Sequence, residues 1–351
     1  MSLADSHDGL NTAESAGLRY VTGHEPGIRR VQENGGAVYL GPGGLRLGDA
    51  ETLARIRRLD IPPAWTDVWI AMDPLAHIQA TGKDAKGRKQ YRYHDLWRTV
   101  RDEAKFDRMV PFGQALPLIR ERTDHDLRRS GVPHAKMVAL VVRLLEQTLI
   151  RIGDDEYARE NESFGLTTML GRHVDLSGAR IRFHFRGKSG KDHDICLVDR
   201  QLARIIRASQ HLPSERLFEY LDERGHFHPV ESTDVNQYLH ETTAEELTAK
   251  DYRTWGGSMI AAVTLRAIGG FTSQTEAKKH VLRAIDAAAE HLGNTRSVAR
   301  KSYVHPVVIN AYLSRALLDI MSAPAPTSTQ GAAQHEQDEA RLLQLLKRPV
   351  P

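Results

Sequence analysis

The chain has 351 residues, 40% hydrophobic and 26% charged, with a formal net charge of +3 and a single cysteine, Cys196. That length can hold two domains with separate cores, and one cysteine excludes an internal disulfide and fits a reducing cytoplasm. No apolar run approaches the ~20 residues needed to cross a bilayer, and the polar start MSLADSHDGL lacks a signal-peptide core, so no membrane association is expected.

Charge is spread unevenly. Asp5, Asp8 and Glu14 precede the first basic residue, Arg19, and Glu336, Asp338 and Glu339 lie near the other end. Basic charge therefore concentrates between the ends, where a nucleic-acid surface would need it.

Residues 1–17 read as a disordered leader. From 18 to 94, short β-like runs alternate with Gly-rich turns: LRYV at 18–21, GIRRVQ at 27–32, AVYL at 37–40, DVWIAM at 67–72, HIQAT at 77–81 and RKQYRY at 88–93. One helix interrupts them, DAETLARIRRL, capped by Asp49 with Leu53, Ile56 and Leu59 on one face. This is a β-rich N-terminal domain. The string DLWRTVRDEAKFDRMV makes 95–108 a helical connection, and helices dominate from 109 to 321. PLIRERTDHDLRR (117–129) precedes AKMVALVVRLLEQTLI (135–150), a strongly apolar core helix. A local β insert follows, with VDLSG, ARIRFHF and DICLVD alternating in period two around Gly178 and the GKSGK turn. Further helices are expected at about 199–209, 231–242, 252–267, 274–291 and 306–321. The stretch SAPAPTSTQGAA is linker-like, so 322–351 reads as a flexible tail ending in RLLQLL.

Two strings carry chemistry. In GKDAKGRKQYRYH (82–94), five basic residues interleave with Tyr91 and Tyr93. On a strand both tyrosines and Lys89 share one face, which suits either a DNA groove or a solvated hairpin with packing tyrosines. Across the second half lie Arg151 in RIGDDEY, Lys188 in FRGKSGK, Arg253 in KDYRTWGG, and Asn294 and Tyr303 in LGNTRSVARKSY. Two guanidiniums would neutralise the non-bridging oxygens of a phosphodiester, and a lysine would protonate a departing alkoxide. Fixed cations would favour the oxyanion of a phenol, whose ordinary pKa is ~10, and so make it a nucleophile. The product, a phosphotyrosyl ester, keeps the energy of the broken bond, so neither ATP nor a metal is required. Taken singly, each of these residues has a structural reading; taken together and in this order, coincidence is improbable.

These strings resemble the type IB DNA topoisomerases, in particular the compact bacterial and poxvirus-like branch, over roughly residues 18–321. The resemblance implies an α+β fold: a small β-rich domain and a larger, mainly helical catalytic domain with a β-hairpin insert, closing as a C-shaped clamp on duplex DNA. It implies a monomer located with the nucleoid that relaxes supercoils through a 3′-phosphotyrosyl intermediate formed by Tyr303, with Arg151, Lys188 and Arg253 around it and no cofactor or metal. Many members carry His at the position of Asn294; some bacterial members carry Asn, which can donate a hydrogen bond but not shuttle a proton. Family members write G-R-x-Q-Y-x-Y in the basic strand, which implies DNA contacts for Arg88, Gln90, Tyr91 and Tyr93, with a further phosphate contact for Tyr157. Arg120, Arg122, Arg128 and Arg129 fit a DNA groove too, although a charged helix face is the commoner explanation.

The nearest rival is a tyrosine recombinase or integrase. Recombinases usually place His three residues before the second Arg and carry a helical arm domain; here Lys250 takes that position and the N-terminal part is β-rich. A zinc reading of His184, His193 and Cys196 matches no ligand spacing, and neither GPGG (41–44) nor GKS (187–189) meets the requirements of a nucleotide phosphate loop.

Overall fold

The computed structural model describes residues 10, 13–14, 16–33, 36–85, 87–212, 214–323 and 333–348. The chain divides into two compact units, 1–104 and 105–351.

The first unit is a five-stranded antiparallel sheet, β1 (Ile28–Glu33), β2 (Gly36–Leu40), β3 (Thr66–Ile70), β4 (Ile78–Lys83) and β5 (Lys89–Tyr93), in the order β2-β1-β3-β4-β5. Helix α1 (Ala50–Arg58) begins where expected, because the Asp49 carboxylate accepts from the Thr52 N–H at 2.8 Å. Ile56 from this helix joins Ile28, Val68, Ile70 and Ala80 in one apolar cluster. The run at 18–21 makes only an isolated bridge, Arg19 to Ala76, rather than a strand.

The expected break after His94 falls ten residues later, inside α2 (Asp95–Asp107). Trp97 is the reason. It is buried against Leu18 and Ala13, so the start of the helix belongs to the core of the first unit. Residues 1–9 of the expected leader lie outside the described residues, whereas Ala13, assigned to the same leader, is fully buried.

The second unit is mainly helical. Helix α3 runs from Met109 to Leu127, starting earlier than the Pro117 expected from sequence. A mid-helix proline removes a hydrogen bond, but Phe112, Leu116 and Ile119, all buried on one face, hold the helix through it. Helix α4 (His134–Thr148) is the core helix, with nine buried residues from Met137 to Thr148. Next come α5 (Asp155–Asn161) and an antiparallel three-stranded insert of β6 (Val174–Ser177), β7 (Arg180–Arg186) and β8 (Asp192–Val198), in the order β6-β7-β8. After α6 (Arg200–Gln210), a small hairpin forms from β9 (Glu219–Leu221) and β10 (Phe227–Pro229), which the sequence reading missed. Helices α7 (Ser232–Thr243), α8 (Ala249–Ile268), α9 (Gln274–Leu292) and α10 (Arg296–Ser302) lead to the C-terminal elements. The single helix expected at 306–321 is two, α11 (Pro306–Leu313) and α12 (Ala316–Ser322), broken where Arg315 turns left-handed at φ 67°.

The expectation of a flexible tail over 322–351 needs correcting at 334–346. That stretch is helix α13 (Gln334–Leu346), with Leu342, Leu345 and Leu346 buried at helical spacing. Its charges are tied down as well. Asp338 pairs with Arg266 and Arg341, and Glu339 pairs with Arg120 at 2.8 Å.

Candidate active site

The site begins where α4 ends. Leu149 takes a left-handed conformation, φ 53°, which costs a non-glycine residue about 1–2 kcal/mol. Two contacts hold it there: Leu149 is itself largely buried, and its carbonyl accepts a hydrogen bond from Arg253 Nη1. That reversal delivers the Arg151 string. The same guanidinium donates from Nη2 to the carbonyl of Leu292 at 2.8 Å, so Arg253 staples the end of α4 to the end of α9. Arg253 is 4% exposed.

The KDYR string explains how α8 presents that arginine. Asp251, buried, accepts from the Thr248 N–H at 2.8 Å and closes a capping box at the start of α8. Tyr252 anchors the same turn in the core, edge-on to Phe112 at 4.9 Å. Arg253, next along, turns to the other side and lies over the Tyr303 ring, 5.0 Å from its centroid. The two glycines that close the string also have a purpose. A side chain on Gly257 would sit 2.7 Å from the Tyr303 carbonyl oxygen and 3.0 Å from its Cβ, so only glycine lets α8 approach the Tyr303 segment this closely.

Tyr303 caps the C-terminus of α10. Its backbone is fixed from two directions. The Ser258 hydroxyl, fully buried, accepts from the His305 N–H at 2.9 Å, and its one proton has two carbonyls in reach, Thr254 at 2.8 Å and Tyr303 at 3.2 Å. Lys105 Nζ donates to the Lys301 carbonyl at 2.9 Å, and Phe106 packs on the His305 ring at 4.9 Å. Burial alone would raise the Tyr303 phenol; Arg253, by charge and hydrogen bond, and then Arg151 and Lys250 outweigh it, and the net shift is downward. Burial lowers the Arg253 guanidinium to about 10, partly offset by the tyrosine, and it stays cationic at neutral pH.

Asn294 follows Gly293, which ends α9 in the left-handed region at φ 64°. The Asn294 Oδ1 accepts from Arg151 Nη2, while its Nδ2 is buried and has no partner among the described residues. The amide is thus held by its oxygen alone among the described residues. Lys188 stands in the turn Lys188–Gly190 at the tip of β7–β8, exposed, one residue beyond Gly187. Gly187 lines a narrow cleft with Arg151, Arg253, His193, Phe185 and Leu292. The structure therefore brings Arg151, Arg253, Asn294 and Tyr303 together; Lys188 follows the cleft-lining Gly187 in sequence, and its own side chain is not part of the lining. Sequence reasoning missed His193, Ser258 and Gly257 as members of this neighbourhood. The available signal for His193 was its phase: along β8 it falls on the inward side with Ile195 and Leu197.

The metal reading of the hairpin finds no support in the geometry. His184 lies on the outward face of β7, 3.4 Å from Asp175, whereas His193 points inward from β8.

In the first unit, Tyr91 and Tyr93 stack at 5.8 Å on one face of β5, with Lys89 over the Tyr91 ring at 5.6 Å. Arg88 and Gln90 are both held by Asp84, at 2.8 and 3.0 Å. The side chain of Tyr157 lies outside the described residues. Three of the four arginines near α3 are paired within the protein: Arg120 ties α3 to Glu146 and Glu339, and Arg122 and Arg129, more exposed, both pair with Asp126.

A phenol pressed against a buried guanidinium, with a second arginine and an oriented amide beside it, has the makings of a phosphoryl-transfer centre on a helical domain that follows a small antiparallel sheet. Comparison with known proteins agrees with that class. Residues 94–317 match the family "Eukaryotic DNA topoisomerase I, catalytic core", and residues 36–84 match "Bacterial DNA topoisomerase IB, N-terminal domain". DNA topoisomerase 1B of Acanthamoeba polyphaga mimivirus is 32% identical over 270 residues, covering 74% of this chain and 80% of the relative. DNA topoisomerase 1B of vaccinia virus (strain Copenhagen) is 24% identical over 278 residues, covering 76% and 84%. The chain belongs to the type IB DNA topoisomerases, and its activity is relaxation of DNA by cleavage and religation.

Proposed function

We propose that Tyr303 is the nucleophile, forming a 3′-phosphotyrosyl bond to one strand of a duplex. The observation that carries this reading is the Arg253 guanidinium lying 5.0 Å from the centre of the Tyr303 ring and drawing the phenol pKa down against the effect of burial. The Tyr303 phenol gives up its proton to solvent, and its oxygen bonds to phosphorus as the bond from phosphorus to the 5′ oxygen breaks. Lys188 gives its proton to that oxygen, and Arg151 and Arg253 stabilise the charge on the non-bridging oxygens. Asn294 donates from its free Nδ2 and orients the phosphate. Religation reverses each step: the 5′-hydroxyl attacks phosphorus, the phenolate leaves into the same positive field, and Lys188 recovers its proton.

One phosphodiester is exchanged for another, so no ATP is consumed. The arginines supply the charge that a divalent ion would otherwise bring, and relaxation should proceed in EDTA. Arg88, Gln90, Tyr91 and Tyr93 contact the duplex through β5, where the stacked tyrosines and Lys89 offer an aromatic and cationic face. All five side chains given a catalytic role here are assigned to one chain, and the enzyme is proposed to act as a monomer. Tyr303→Phe tests the assignment: it should bind duplex DNA normally and form no covalent adduct. Relaxation by that variant would remove Tyr303 from the mechanism.

A further inference from the structure

The proposed chemistry leaves two histidines of the cleft unused, His193 and His291. His193 faces Phe185 across the β7–β8 ladder, their rings stacked at 5.0 Å and 12°. Each edge of its imidazole meets a glycine. A Cβ built on Gly187 would lie 2.6 Å from His193 Cδ2 and 2.7 Å from Nε2, and one built on Gly293 would overlap Cε1. Neither approach survives a side chain. Gly187 is the residue before Lys188, and Gly293 is the residue before Asn294. One ring therefore fills the space between the hairpin that carries the lysine and the helix end that carries the asparagine.

We propose that His193 is a positioning residue, its imidazole acting as a flat wedge that sets the Lys188 hairpin against the Gly293–Asn294 corner. The inference rests on the reading of Lys188 as the general acid. The hairpin is otherwise tied at its base by the Gly187 N–H to the Lys191 carbonyl at 2.8 Å and by the Ser163 hydroxyl to the Gly187 carbonyl at 3.1 Å. Those bonds shape the turn but do not fix its distance from Asn294; the wedge does. Burial, with Arg151, Arg253 and Lys191 nearby and only Asp192 opposing, holds the imidazole below its usual pKa. It is then neutral, and adds shape to the cleft without a third charge.

A proton donor displaced by about 1 Å loses on the order of 100-fold in rate. His193→Ala should slow single-turnover cleavage of an ordinary duplex by roughly 10- to 100-fold. Most of that loss should disappear on a duplex whose scissile 5′ oxygen is replaced by sulfur, because a thiolate leaves without a proton. His193→Phe, which keeps a flat ring and lacks ring nitrogens, should retain most of the cleavage rate and serves as the folded control. Three results would overturn the proposal: His193→Ala cleaving at the parent rate, an equal defect on the oxygen and sulfur substrates, or His193→Phe as slow as His193→Ala while His193→Gln is active. Lys188→Ala is run alongside. If sulfur fails to restore Lys188→Ala, the acid assignment falls, and that outcome is separate from any failure of the wedge.

Discussion

Gly257→Ala is a small change with a calculable consequence. The new Cβ would sit 2.7 Å from the Tyr303 carbonyl oxygen, where ordinary contact begins at 3.4 Å, so the Tyr303 segment must retreat by about 0.7 Å. Leu292 Cδ1, at 3.1 Å, crowds the same spot and limits escape in another direction. Overpacking of this kind costs about 1–3 kcal/mol, and replacing a mid-helix glycine by alanine returns up to about 1 kcal/mol. The fold should lose only ~0–2 kcal/mol. Catalysis should suffer more, because a reacting atom moved by about 1 Å can cost ~100-fold. Adduct formation on a suicide duplex, measured under single-turnover conditions, should fall roughly 10- to 100-fold while DNA binding and Tm change little. Cleavage within twofold of the parent, with an unchanged Tm, would refute the argument that glycine is required for this approach.

Two further predictions concern stability. Burial would raise the Asp126 carboxyl, but hydrogen bonds from Arg122, Arg129, His125 and Tyr238 outweigh it and hold the pKa at about 2 against an ordinary 3.8. A depressed folded-state pKa means that the stabilisation is complete above pH ~4 and is lost as pH falls toward 2, worth about 2 kcal/mol in all. Asp126→Asn should flatten the stability profile across that window in acid-unfolding experiments; an unaltered slope would contradict the assignment. Leu342 is fully buried in α13, and Leu342→Ala should cost about 2–5 kcal/mol in denaturant unfolding. A loss below about 1 kcal/mol would restore the view of this segment as a loose tail.

The fold was readable wherever local chemistry decides it. Asp49 announced α1, short β-like runs between Gly-rich turns announced β1 to β5, period-two alternation announced β6 to β8, and the apolar run at 135–150 announced the core helix. It was unreadable where tertiary contacts override local signals. Pro117 sits inside a helix because of what Phe112 and Leu116 bury. The tail helix depends on Arg266 and Arg120, which lie far away in sequence. The site behaved in the same way. Its charged and phenolic groups stand in recognisable strings, so Arg151, Arg253, Asn294 and Tyr303 were legible as candidates, and the structure brings these four side chains together. The residues that hold them were not found, because glycine, serine and histidine carry no chemistry of their own in a linear string. Gly257 matters only for the carbonyl it lets in, Ser258 only for the backbone it bonds, and His193 only for the two glycines on either side of its ring. Arg88 and Gln90 show the converse. The resemblance alone offered both as DNA contacts, and their tether to Asp84 was not legible.

The central claim is that a covalent bond forms between the phenol of residue 303 and the 3′ end of a cleaved strand. Quenching a cleavage reaction with denaturant, digesting the protein and mapping the nucleotide-bearing peptide by mass tests it most directly. The account predicts one modified peptide, containing Tyr303 and carrying a 3′-phosphoryl linkage. A modified residue other than Tyr303, or a 5′ linkage, would contradict it.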